Sequence, residues 1–452
     1  LNAIIFRGGR VIDPASAIDG AYDVLVRDGK IEAVERAESR MNPPDVTVVD
    51  LYGCWIVPGL IDPHVHLRDP GFPEKETILT GLRAAAAGGF TAVAAMANTS
   101  PVNDSPATTR YMLERAKAAH SARLVPVSAV THGLGGTELV NFCAMVEAGA
   151  RLFSDDGIPI DDAMVLSRAL DETKRLGYAV SLHEEDRALS CEGALNAGAV
   201  SKRLGVSGYT DAAESHRVRR DLAIAIGSGG AVHVAHVSTA ESIELIRAAR
   251  RHGAQVTCEV TPHHFTLDDG AALTWGPNAK MNPPLRDRDD VEALRAAIRD
   301  GTIDMIATDH APHDPKSKRM EKLGAFFGPG DDGPHLEHDA AEIFAHAANG
   351  IVGLETSLGL ALDLVHRSLI QPARLVEMMS RNPAALLRLD AGTLAEGAVA
   401  DITVIDPNLE WTVTPEKFLS KSRNTPFAGM RLKGRAALTI VAGEIVYDGR
   451  KV

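Results

Sequence analysis

Aromatic residues make up only 4% of this 452-residue sequence, so its core must come from Ala, Val, Leu and Ile. Cysteine is scarce too. Cys54, Cys143, Cys191 and Cys258 lie far apart with no CxxC pair, which argues against a disulfide framework and for free thiols in a reducing compartment. No apolar run reaches the roughly 18 residues of a membrane helix, and no basic-then-apolar signal segment is present. Positive charge is in deficit. A formal net charge of −13 argues against nucleic acid, which needs a basic face. A small anion could still be held by local Arg and His. The remaining composition, 45% hydrophobic and 24% charged, is that of an ordinary globular protein. A cytoplasmic protein with no membrane partner is the expectation, and the length allows one large barrel plus a smaller domain.

Residues 1–55 read as short strands. AIIFRGGRVID, YDVLVRDGKIEAVE and TVVDLYGCWIV are broken by Gly-Gly, Asp-Gly and Pro-Pro turns. Residues 393–452 read in the same way, with ADITVIDP, EWTVT and LKGRAALTIVAGEIVYDG. The economical expectation is one small β domain built from both ends, with residues 56–392 forming the body between them. That middle region alternates strand and helix about eight times. Its strand candidates are WIVPGLIDPHVH, TAVAAMAN, ARLVPVSAVT, RLFSDD, AVSLHEE, AVHVAHVS, QVTCEVTPHHF and IDMIATDHAPH. Ala-rich, charge-rich segments with helical spacing lie between them. The fold class expected is α/β, a (β/α)8 barrel with a small composite β-sandwich domain. An open doubly wound sheet is the alternative, but its ligand crevice sits at one switch point, whereas here candidate ligands end several strands. Residues 314–338 break the rhythm and are either a lid over the site or a surface loop.

Histidine and aspartate recur at the ends of the apolar runs. His64 and His66 are two apart, so on a strand they share one face and can share one metal. An HxH alone is weak evidence, because buried histidines are often held by backbone. His183 and His236 each end a later strand and could hold a second ion. Asp156 could bridge the two, its neighbour Asp155 pointing away if the strand is regular. Asp309 ends the last strand. Imidazole and carboxylate together suit zinc. Six such groups buried without partners would be costly, and a pair of divalent ions is the simplest partner for all of them. Two ions can clamp a water and generate hydroxide at neutral pH. Asp309 could then act as general acid and base, or it could only orient a ligand. Arg68, two positions past His66 and on the same face if the strand continues, offers a fork suited to a substrate carboxylate. Asn98, Asn282 and His313 are further candidates, and His263 and His264 are plausible pocket residues.

The ordered motifs VIDP, PGLIDPHVHLRDPG, AAAGGFTAV, FSDDG, HVAHVST, TCEVTPHH, MNPPLR, IATDHAPH, GLETSLG and SKSRNTPFAG resemble the class I dihydroorotases of the cyclic amidohydrolase superfamily. The resemblance covers nearly the whole chain. It implies a zinc enzyme of pyrimidine biosynthesis, with two ions per subunit, that interconverts N-carbamoyl-L-aspartate and L-dihydroorotate. His64, His66 and Asp309 would bind one ion and His183 and His236 the other, with Asp156 bridging. Arg68, Asn98 and His313 would hold the substrate carboxylate, Asn282 would contact the ring, and Asp309 would be the general acid/base. A homo-oligomer, or assembly with aspartate transcarbamoylase, is also implied.

Two features depart from that pattern. Met96-Ala97-Asn98 lacks the usual Pro before the Asn, and the stretch after His313 is long. The nearest rivals are dihydropyrimidinase (hydantoinase) and allantoinase, many of which bridge their metals with a carbamylated lysine at the end of strand four. Here that place reads Phe153-Ser154-Asp155-Asp156-Gly157, without lysine. A non-catalytic structural or regulatory relative would be expected to lack ligands, and all six are present.

Overall fold

The structure, a computed structural model, describes residues 3–37, 45–319 and 339–451. The N-terminal part supplies β1 (Ala3–Asp13), β2 (Ile18–Arg27), β3 (Lys30–Arg36), β4 (Val46–Asp50) and β5 (Trp55–Pro58). The middle supplies β6 (Leu60–Val65), β7 (Phe90–Ala95), β8 (Arg123–Ser128), β9 (Leu152–Phe153) and β10 (Ala179–Leu182). A small parallel pair follows, β11 (Leu195–Asn196) and β12 (Gly208–Tyr209). Then come β13 (Ala231–Val234), β14 (Val256–Val260) and β15 (Met305–Ile306). The C-terminal part adds β16 (Ile402–Thr412), β17 (Arg431–Val441) and β18 (Glu444–Asp448).

The two ends of the chain build one sheet, ordered β18-β17-β16-β5-β1-β2-β3 with β4 beside β1. The join is β5 against β16, antiparallel, with Trp55 opposite Ile405 and Pro58 opposite Ile402. Alternating apolar residues of this sheet, among them Phe6, Val24, Ile56, Ile402 and Leu438, bury together. This is the small β-sandwich domain read from the two ends of the sequence.

The remaining long sheet runs β6-β7-β8-β9-β10-β13-β14-β15. Each neighbouring pair is parallel. A parallel bridge between Val65 and His310 brings its last edge to its first, where His66 N–H donates to the His310 carbonyl at 2.8 Å. That contact decides for the barrel over the open sheet. The helices form where Ala-rich segments meet a capping side chain. Thr77, Ser105, Asp162 and Thr239 cap Ile78–Ala87, Pro106–Lys117, Ala163–Leu176 and Ala240–Arg251. Each lays an apolar stripe on the barrel, as Val165, Leu166, Ala169 and Leu170 do. A fully buried Leu or Val side chain of this kind contributes about 1.5–3 kcal/mol.

The structure corrects two readings. WIVPGLIDPHVH is not one strand. It breaks at Gly59 into β5, paired in the terminal sheet, and β6, the first barrel strand. Gly59 sits so close to Thr91 that a Cβ there would lie 2.2 Å from Thr91 Oγ1. RLFSDD and IDMIATDHAPH keep only two residues each in the ladder, so Asp156 and Asp309 stand beyond strand ends rather than on them. Of the stretch 314–338, residues 320–338 lie outside the described residues.

Candidate metal centre and substrate cavity

The residues singled out above converge at the C-terminal ends of the barrel strands, where this architecture places reactive groups. His64, on β6, points Nε2 inward, 3.5 Å from Asp156 Oδ1 and 3.7 Å from Asp309 Oδ1. His66, just past β6, lies 3.1 Å from Asp309 Oδ1 and 3.4 Å from Asp156 Oδ2. Across the barrel, His183 Nδ1 and His236 Nε2 face each other at 3.0 Å, and both approach Asp156 Oδ1, at 3.8 and 3.6 Å. Two sets therefore have ligand atoms within 4.8 Å of one another, His64–His66–Asp156 and Asp156–His183–His236, and they share Asp156. All five residues are buried.

Whether a cation fits is tested by the groups left without partners. His64 Nε2 and Asp156 Oδ1 are buried and lack any hydrogen-bond partner. Orphaned groups of this kind are costly unless something binds them. Burial pushes the Asp156 and Asp309 carboxyls up, but His64, His66 and His236 hold both well below the usual carboxylate range. They are ionised, the form that binds a cation. The donor set of imidazole nitrogens and carboxylate oxygens is one zinc accepts.

The other nitrogen of each ring is fixed from behind. His64 Nδ1–H donates to Glu259 Oε1 at 2.7 Å, His66 Nδ1–H to Asn98 Oδ1 at 2.9 Å, and His183 Nε2–H to Glu185 Oε2 at 3.3 Å. Such bonds set tautomer and ring orientation. Glu259 and Glu185 were missed in the sequence. Glu259 lies inside the apolar run of β14, and a buried carboxylate in such a run was the available signal. Asp155, the rival to Asp156, turns away. Its Oδ1 accepts from the Val130 and Thr131 amides at 2.7 and 3.1 Å, and Thr131 Oγ1 donates to its other oxygen.

The ligand cluster forms one wall of a cavity of about 240 Å³. Arg68, Asn98, Asn282, His313, Asn349 and Gly350 line the rest. Arg68 reaches it for a reason other than strand alternation. β6 ends at Val65, and Arg68 sits in a turn at φ +59°. Its Nε donates to the Pro312 carbonyl at 3.3 Å, and no carboxylate pairs with it among the described residues. Burial pulls Arg68 down to about 10, which leaves it cationic at neutral pH. His313 Nε2–H donates to the Asn349 carbonyl at 2.7 Å, leaving Nδ1 buried without a partner. Burial, then Arg68 and Lys318, lowers His313 to about 2, so its ring is neutral. Asn282 Nδ2 donates to Glu185 Oε2 at 3.0 Å. His263 and His264 are buried but do not line the cavity. His264 Nε2–H donates to the Pro283 carbonyl at 3.0 Å and so supports the Asn282 loop.

Comparison with known proteins narrows what this arrangement serves. A family model described as dihydro-orotase-like matches residues 53–242, and one described as amidohydrolase family matches 364–447. A dihydroorotase of Anaeromyxobacter dehalogenans (strain 2CP-C) is 46% identical over 453 residues, covering 100% of this chain and 99% of its own. One of Desulforapulum autotrophicum is 48% identical over 445 residues, covering 98% and 99%.

The chain belongs to the dihydroorotase family.

Solved structures share the family's fold at lower identity. An L-hydantoinase (dihydropyrimidinase) from Arthrobacter aurescens superposes with a TM-score of 0.85 at 24% identity, over 99% of this chain and 96% of that one. A D-hydantoinase from Thermus sp. gives 0.79 at 24%, over 98% and 95%. At that identity the likeness is one of fold. Membership makes the chain a hydrolase of cyclic amides with a small-molecule substrate, and its His/Asp clusters are compatible with a metal site. No helix among the described residues is long and apolar enough to cross a membrane.

Proposed function

We propose that the chain catalyses the reversible cyclisation of N-carbamoyl-L-aspartate to L-dihydroorotate, the dihydroorotase step of pyrimidine biosynthesis. One observation carries the reading. A single cavity joins a shared-carboxylate ligand cluster to a half-buried guanidinium, Arg68, that no carboxylate among the described residues pairs with. The first suits hydrolysis of an amide and the second suits a substrate that bears a carboxylate. In this proposal His64, His66 and Asp309 would hold one zinc ion and His183 and His236 the other, with Asp156 available to both. When bound, the ions supply Lewis acidity that polarises the amide carbonyl and acidifies water.

The chain's own groups do the rest. Arg68, Asn98 and His313 hold the substrate carboxylate. His313 can meet it only as a donor, so its bare Nδ1 must gain a proton as the ligand binds. Asn282 contacts the ring. In ring opening, Asp309 takes a proton from the attacking water at a carboxylate oxygen and returns it to the departing amide nitrogen as the C–N bond breaks. Cyclisation runs the same transfers backwards. Family membership further supports, as part of this proposal, a cytoplasmic enzyme that works as a homo-oligomer or beside aspartate transcarbamoylase.

The test is turnover by zinc-replete protein of L-dihydroorotate, hydantoin, dihydrouracil and allantoin, with a chelated sample and Asp309→Asn as controls. Turnover of dihydroorotate alone, lost in both controls, is expected. Preference for another ring would overturn the Arg68 and His313 assignment and leave the ligand cluster standing. Bound metal without any turnover would favour a non-catalytic relative.

A further inference from the structure

Two lysines are buried beside the substrate cavity and meet no acid among the described residues. Lys318 is fully buried at 0% exposure and Lys280 nearly so at 6%, which is rare for this residue type. Lys318 Nζ donates to the carbonyls of Lys280 at 3.2 Å, Ala348 at 2.8 Å and Gly350 at 3.0 Å. Lys280 Nζ donates to the carbonyls of Ala345 at 2.6 Å and Ala347 at 2.8 Å. Neither forms an ion pair among the described residues. An ammonium buried among carbonyls alone is a costly arrangement, held only where the geometry requires it. Burial pulls Lys280 down to about 8 and holds Lys318 well below the usual lysine range. The three acceptors of Lys318 nevertheless need three N–H groups, which only the charged form carries.

What the pair gathers is the run 345–350, whose last part lines the cavity through Asn349 and Gly350. The Gly350 amide donates to the Lys280 carbonyl at 2.9 Å, and the Asn349 carbonyl receives His313. Lys280 stands two residues before Asn282, and Lys318 five after His313. One polar knot thus joins three walls of the cavity. We propose that Lys280 and Lys318 are a positioning pair that sets the 349–350 wall against His313 and Asn282, and so fixes where the substrate lies. The proposal rests on the substrate assignment above.

Lys318→Met and Lys280→Met in the full, zinc-replete chain test it. KM for L-dihydroorotate rises about tenfold or more while kcat stays within about threefold, the mark of lost binding rather than lost chemistry. Zinc content stays at the wild-type level, and amide exchange quickens across 345–350 alone. Unchanged KM in both variants overturns the proposal, as does a fall in zinc content and kcat together at unchanged KM. If Lys318→Met does not fold, Lys280→Met, which frees only Ala345 and Ala347, decides. Beside them, saturating L-dihydroorotate must slow exchange at 348–350 in the wild type, and no slowing also overturns it. If the wild type neither binds nor turns over dihydroorotate, the substrate reading fails by itself, and variant exchange confined to 345–350 still separates the clasp from that failure.

Discussion

Glu259 offers the sharpest test of the metal centre, because it touches no substrate and lies outside the cavity lining. One carboxylate oxygen takes His64 Nδ1–H at 2.7 Å and stands 3.4 Å from the His236 amide. The other takes His233 Nε2–H at 3.1 Å. Burial pushes the Glu259 carboxyl up, but His64 and His233 hold it down to about 2, so it is an anion buried behind a ligand. Its charge makes His64 Nε2 a stronger donor, and its position fixes which way that nitrogen points. In Glu259→Gln the amide oxygen can keep His64. The new Nε2 donor then faces His233, which must move its proton to Nδ1, where Thr257 Oγ1 waits at 2.8 Å to accept it. That variant keeps orientation and loses charge. Glu259→Ala loses both. Losing an orienting partner of this kind costs about 10–100-fold in metal affinity, or about 1.4–2.8 kcal/mol. We expect the glutamine variant near the low end and the alanine variant near the high end. Zinc competition titration with a calibrated chelator reads the affinity, and circular dichroism checks the fold. Wild-type affinity in a folded Glu259→Ala would refute the reasoning, since His64 would then need no orientation.

Three other expectations follow from packing. Arg286 is buried at 1% exposure, bonded to Asp211, Asn196 and Ser238 and 3.8 Å from buried Glu214. Arg286→Met leaves that carboxylate without its cation and should destabilise by about 3–5 kcal/mol, read from the denaturant midpoint. An unmoved midpoint would show the network to be dispensable. Gly59→Ala forces a Cβ onto Thr91 and should cost about 1–3 kcal/mol, only part of it recovered in the double variant with Thr91→Ala, whose remaining Cβ would still lie 2.8 Å away. Additive losses would place the strain elsewhere. In a timed thiol titration, exposed Cys143 and Cys191 should react first. Cys258, whose thiol burial and then Asp304 push up to about 12, should react only after unfolding, and early labelling of Cys258 would contradict its burial.

The sequence made the barrel legible through its eight repeats and the terminal sheet through the matching style of its two ends. The candidate ligands were legible because His and Asp are conspicuous after apolar runs. What it hid has physical causes. The break at Gly59 depends on contact with Thr91, 32 residues away, which no local pattern records. Arg68 was placed in the cavity by strand alternation, yet it arrives through a turn at positive φ. The cavity wall at Asn349 and Gly350, and the lysines behind it, carry no motif. Their role exists only once residues 280, 313, 318 and 350 are brought together. Glu259 and Glu185 are ordinary acids until the ring nitrogens they receive are known.

A further regularity lies under the site. The barrel strands end early, and the amides freed there are taken by buried carboxylates instead of by the ladder. Asp62 accepts from the His64 and Thr308 amides, Asp155 from Val130 and Thr131, and Glu214 from Ser238 and Thr239. This collar lets His236 and Asp309 adopt positive φ, of 32° and 46°, beside buried backbone that still finds partners. The adjacent acids Asp155 and Asp156 then have opposite jobs, and substitution separates them. In Asp155→Asn the amide oxygen can keep both backbone donors and Thr131 can turn its hydroxyl to accept, so stability and zinc content should stay near wild type. In Asp155→Ala two buried amides lose their acceptor at about 1–3 kcal/mol each, and the misplaced neighbour should bind zinc more weakly. Asp156→Asn should lose zinc outright and also lose stability in the chelated protein at neutral pH, because the flanking imidazoles favour the ionised carboxylate that the amide replaces. Zinc content and chelated-state melting temperature, measured together on the three variants, decide it. Loss of zinc in Asp155→Asn with retention in Asp156→Asn would exchange the two roles and undo the collar.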